Sequence, residues 1–140
     1  MAFEEKRAWV MGLVTIVAYS IYVILVLTRG GDAPLTETPY VATLIWTIVA
    51  AILASIVLDM LVSGTTPEEE RRKDQRDVEI GHFGDRIGQS FLAIGAVATM
   101  VLAMTEADHF WIANTIYLAF ALTSVLTSVA KIAAYRWGFQ

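Results

Sequence analysis

The chain has 140 residues, a formal net charge of −4 and a composition that is 56% hydrophobic and only 17% charged. Soluble domains carry about 25% charged residues, so this chain lacks the polar surface to cover a water-soluble globule, and its mean hydropathy of +0.59 agrees. High apolar content with small net charge excludes disorder. The absence of cysteine removes disulfides, thiolate metal sites and thiol nucleophiles. A pI near 5.0 argues against a nucleic-acid partner. What remains is an integral membrane protein whose first partner is the lipid bilayer.

The first apolar run, Ala8 to Leu27, contains no charge. At 1.5 Å per residue it covers roughly 30 Å, the thickness of a bilayer's hydrocarbon core. It is too long for a signal peptide, and no Ala-x-Ala-like site follows it. Together with three later runs it predicts a single all-α transmembrane domain over 1–140, a four-helix bundle with spans at about 8–28, 40–62, 87–104 and 110–134. All of the ten basic residues except Arg29 fall at the N-terminus, between the second and third spans, or at the C-terminal end. The positive-inside rule therefore predicts cytoplasmic termini and an inner-membrane location. Trp9, Phe83, Tyr135, Trp137 and Phe139 should mark the inner interface, and Tyr40, Phe110 and Trp111 the outer one.

The connection after the first span is rich in turn residues, and Thr105 to His109 is short enough to force a tight hairpin. Between the second and third spans, Thr66, Pro67 and Glu69 read as a helix start with a capping box. They predict a short cytoplasmic helix over about 67–80, ending near Gly81. Gly81, Gly84 and Gly88 then mark a bend into the third span. Superposing Asp59 on Lys131 aligns Thr43, Thr47, Ala51 and Ser55 with Thr115, Ala119, Thr123 and Thr127. Such small-residue stripes allow close helix approach, and packing without a shared ancestor is the simpler reading of the likeness. Gly95, Thr99 and Ala103 form a third stripe. Ala51, Ser55, Gly95, Thr99, Thr123 and Thr127 are accordingly the expected packing positions.

Catalytic patterns are missing: the chain has no Gly-x-Ser-x-Gly, His-Glu-x-x-His or phosphate-cradling glycine loop with lysine. His82 and His109 fall at opposite ends of the spans, which gives no metal spacing, so no metal or cofactor is expected. The middle of every span carries hydroxyls and one amide rather than charges. Asp59 and Lys131 are the exceptions, each about one turn inside its span. An unpaired charge there is costly, so the two are expected to lie together, bridged directly or through Arg86 or Arg76. A proton or cation site in a transport path is the alternative.

The stretch Asp74-Gln75-Arg76-Asp77-Val78-Glu79-Ile80, followed by Gly84-Asp85-Arg86-Ile87-Gly88 entering a span, resembles a group of small prokaryotic membrane proteins classed as a domain of unknown function. An acidic-x-Arg-Asp-x-x-Ile signature precedes a hydrophobic hairpin in that group. The resemblance covers about residues 70–135 and implies no activity, substrate or cofactor; it directs attention to Arg76, Asp77 and Arg86. The expected charge cluster at the cytoplasmic interface is thus Asp59, Arg76, Asp77, Arg86 and Lys131. The expected function is a non-enzymatic membrane protein acting by association, as a homo-oligomer (a dimer) or with another membrane protein, through its charged loop. The alternative is an oligomeric small-molecule or ion transporter, although the first span lacks the embedded glutamate of small multidrug exporters.

Overall fold

A computed structural model describes residues 2–31 and 33–138; Phe139 of the expected aromatic belt lies outside them. Four helices carry the fold: α1 (Phe3–Gly30), α2 (Val41–Thr65), α3 (Gln75–Met104) and α4 (His109–Trp137). Short 3₁₀ turns occupy Leu35–Glu37 and Glu68–Arg71, and no strand occurs among the described residues. Each long helix has the length and apolar content to cross a membrane. The chain is an all-α, multi-pass membrane protein built as a four-helix bundle.

The helices lie in the order α2–α1–α4–α3, with α1 and α4 central and antiparallel. Their contacts are lined by small and hydroxyl-bearing residues. Ala8, Gly12, Ala119, Ala121, Thr127, Ser128 and Ala134 are buried, while Trp46 and Ile94 are 70% and 66% exposed. This reverses the pattern of a soluble bundle. In lipid, burying large apolar side chains brings no hydrophobic gain, and close backbone approach supplies the packing energy. The aromatic exception is a cluster toward the end carrying Arg29. There Tyr22, Val26, Phe110 and Tyr117 form a buried core, with Tyr40 and Leu44 packed on it. Phe110, expected at the interface, is turned inward at that level and meets Tyr40 edge-on at 5.2 Å.

The α3–α4 contact is set by glycine. A methyl group added at Gly95 would stand 2.2 Å from Ala119 Cβ, and one at Gly88 would stand 2.0 Å from Thr127 Oγ1. Gly84 likewise faces Lys131 and the Thr127 carbonyl. These glycines therefore mark no bend, contrary to the expectation; α3 runs unbroken through them. At the far end the helices turn over Thr105 to Asp108. Ala107 N–H bonds the Leu102 carbonyl and Glu106 N–H the Ala103 carbonyl, a Schellman closure. Its left-handed position is filled by Glu106, at φ 59°, rather than by glycine.

The separate cytoplasmic helix over 67–80 does not form. Thr66 caps nothing downstream; its hydroxyl donates to the Val62 carbonyl at 2.6 Å and closes the end of α2. Residues Glu68–Arg71 make one 3₁₀ turn. The capping box lies at Asp74 and Asp77 instead, and the helix it starts is α3 itself. An isolated exposed helix without an apolar face gains no tertiary burial to offset nucleation. Starting at Gln75 places Ile80, which is fully buried, on the same face as Gly84 and Gly88.

Candidate functional site at the charged end of the bundle

The N-termini of α1 and α3 and the C-termini of α2 and α4 meet at one end, which carries every basic residue except Arg29. Opposite charges there are sorted into helix-to-helix clasps. Arg7 of α1 reaches Asp59 of α2, with Nη2 at 3.0 Å from Oδ2 and Nε at 3.3 Å from both carboxylate oxygens. Glu4 adds a second carboxylate to Arg7 at 3.4 Å, and Lys73 stands 4.0 Å from Glu4. Glu5, buried in α1, accepts from Arg136 of α4 at 2.9 Å, and the Arg136 guanidinium lies over the Trp9 ring. Lys131 of α4 pairs with Asp85 of α3 at 3.2 Å.

Asp77 has two roles. One carboxylate oxygen accepts from the Asp74 N–H at 3.1 Å, completing the capping box, and the other accepts from the Tyr135 hydroxyl of α4. Arg76 sits over the Tyr135 ring and donates to the Tyr135 carbonyl at 3.3 Å. That carbonyl belongs to the last turn of α4, where acceptors lack helical donors and a cation is favoured. The Asp-x-Arg-Asp-x-x-Ile stretch thus starts α3, grips the end of α4, and buries Ile80.

Asp59 and Lys131 line a common hollow of about 360 Å³ together with Glu4, Arg7, Ser55 and Lys73, but they are not paired. The expected bridge through Arg86 or Arg76 is absent as well. Each of the two charges pairs within its own hairpin, because α1 stands between α2 and α4 and supplies the nearer partner to Asp59. Arg86 is exposed beside His82 and Glu79 in an open groove toward Trp137. Of the packing positions, Ala51 and Ser55 are half-buried on the face of α2 that also buries Thr43 and Thr47. Gly95 meets Ala119, Thr123 and Thr127 meet Gly88, and half-buried Thr99 donates to the Gly95 carbonyl of its own helix.

Sequence reasoning missed Arg7, Glu4, Glu5, Asp85, Tyr135 and Arg136 as clasp residues. One signal was available: in an antiparallel hairpin, charges equally far from the connecting loop face each other, and Arg7 and Asp59 are nearly so placed. Farther into the bundle the polar groups pair across helices. Thr15 bonds Ser124 at 2.8 Å, Thr47 bonds Tyr117 at 2.9 Å, and the Tyr22 hydroxyl donates to Asn114. Among the described residues no group of three or more acidic or histidine side chains is placed to hold a metal ion. The chain matches no protein-family model, no curated protein and no solved structure.

Proposed function

We propose that this chain is a non-enzymatic protein of a prokaryotic inner membrane that works by association, as a homo-oligomer or beside another membrane protein. Its charged end is the docking surface and faces the cytoplasm with both termini. The observation that carries the reading is the open-sided helix order. Only 6% of the apolar stretch of α3 and 11% of that of α2 is buried within the subunit, against 33% for α4. The outer helices therefore offer long unpartnered apolar faces directly below a rim of charged side chains, a combination suited to lateral contact with other membrane helices. Pull-down from mild detergent with mass spectrometry tests this: a second copy or a defined membrane partner is expected, and a strictly monomeric, partner-free chain would sink it. Reporter fusions after Gln140 and within 67–74 should score cytoplasmic, and one near Ala33 external; the reverse pattern would overturn the orientation.

The transporter reading draws support from Thr123 and Ser128, whose buried hydroxyls have no hydrogen-bond partner beside the Thr15–Ser124 pair. Substrate-dependent proton or cation flux in liposomes would favour it over association. The site charges argue against it, since Asp59 sits at the charged end already held by Arg7.

A further inference from the structure

An apolar groove of about 850 Å³ lies between α1 and α2, open along its side. It runs from Leu13 and Leu58 to Arg29 and Thr43, about 24 Å along α1 at 1.5 Å per residue. A leaflet is about half of the roughly 30 Å hydrocarbon core, so the groove is deep enough for the acyl region of one leaflet. Its floor is built from small α2 residues, Ala42, Ala50, Ala51 and Ala54, with Trp46 as one wall. A helix-wide channel results where bulky side chains would have filled the space.

The groove ends on a cation. Arg29 is the last basic residue of α1 and the only one at that end of the bundle. Its Nη1 donates to Thr43 Oγ1 at 2.7 Å, which swings the guanidinium from α1 over the mouth of the groove. Among the described residues its other N–H groups meet no acceptor and no carboxylate lies within ion-pair distance. Arg7 and Arg136 at the opposite end are each paired with a carboxylate of another helix, whereas among the described residues Arg29 has only the neutral Thr43 hydroxyl. A guanidinium fixed by one neutral bond at the edge of the hydrocarbon presents its other donors as a fork suited to a phosphate.

We propose that the α1–α2 groove is a binding site for one anionic phospholipid, its acyl chains laid against Ala42, Trp46 and Ala50 and its phosphate held by Arg29. Charge complementarity favours a lipid over a second copy of the chain. The groove's one charge lies at its mouth, at the level where bilayer phosphates stand, and below that level its lining is apolar except for Thr47, whose hydroxyl is already bonded to the Leu44 carbonyl and Tyr117.

Native mass spectrometry of the full chain, delipidated in non-ionic detergent and titrated with phosphatidylglycerol or phosphatidylcholine of identical chains, tests the site. Wild type should retain phosphatidylglycerol roughly five- to tenfold better, the order expected of one basic contact at a membrane surface. Arg29→Gln should abolish that preference, and Arg29→Lys should keep part of it. Ala50→Phe, which fills the groove from an exposed position, should reduce retention of both lipids. Equal retention of the two lipids by wild type would overturn the proposal. So would a preference that survives Arg29→Gln, since it would belong to the basic residues of the other end. The chain has no cysteine, so Ala50→Cys also reports on the groove directly: efficient disulfide formation between copies in a bilayer would assign it to a second copy instead.

Discussion

Tyr135 of α4 donates its hydroxyl hydrogen bond to the Asp77 carboxylate, which also accepts from the Asp74 N–H in the capping box that starts α3. One side chain thus makes the first turn of α3 and ties it to the last turns of α4. Because Asp77 accepts on both oxygens, removing its carboxylate loses the interhelix contact and one half of the capping box at once.

This coupling predicts unequal effects at the two residues. Tyr135→Phe should remove the tie and leave the capping box, whereas Asp77→Ala should lose the tie and the carboxylate half of the box, with Asp74 still accepting from the backbone N–H of residue 77. One further hydrogen bond is worth about 1 kcal/mol, so Asp77→Ala should lower the melting temperature more than Tyr135→Phe. Hydrogen exchange of the amides over 75–81 in detergent should rise in both, and more in Asp77→Ala. Equal protection in the two variants would show that the Asp77 half of the capping box adds nothing once the tie is lost.

The Arg7–Asp59 clasp predicts a coupling between α1 and α2. Arg7→Met and Asp59→Asn should each destabilise, and the double variant should recover part of the loss. Both side chains are more than a third exposed, 40% and 37%, so the coupling should be small, about 0.5–1 kcal/mol. The same cycle between Asp59 and Lys131 should be additive within experimental error, because each has its own partner. Melting of the five variants beside wild type in one detergent decides both cases.

The glycines of α3 should separate sharply. Gly95→Ala puts a methyl group against Ala119 and should destabilise by about 1–3 kcal/mol through overpacking. Gly81 faces open space; there alanine should be neutral or stabilising by up to about 1 kcal/mol, since glycine is the poorer helix residue. Thermal melts of the two variants provide the check, and similar losses at both positions would contradict the packing described for α3 and α4.

Glu106 supplies a prediction of the opposite sign. It occupies the left-handed position of the α3 cap, at φ 59°, where a residue with a Cβ is strained by roughly 1–2 kcal/mol. Glu106→Gly should therefore raise the melting temperature, and Glu106→Val should lower it.

The spans were legible in the sequence because the bilayer imposes a simple length requirement on uncharged runs, and Ala8 to Leu27 meets it without any knowledge of neighbours. The small-residue stripes were legible for a related reason. A residue at every fourth position lies on one helix face whatever that face meets. What that face meets was another matter. Helix order around a bundle depends on pairwise fit between surfaces far apart in the chain, and only the tertiary structure decided that α1 stands between α2 and α4 at the charged end. That order gave Asp59 to Arg7 and Lys131 to Asp85, where depth alone had suggested that Asp59 and Lys131 would pair. The segment over 67–80 failed for a physical reason of the same kind. Thr66-Pro67 and Asp74-Gln75 both carry local start signals. The choice between them was made by burial of Ile80 and by the grip of Arg76 and Asp77 on Tyr135, contacts that exist only once α4 is in place.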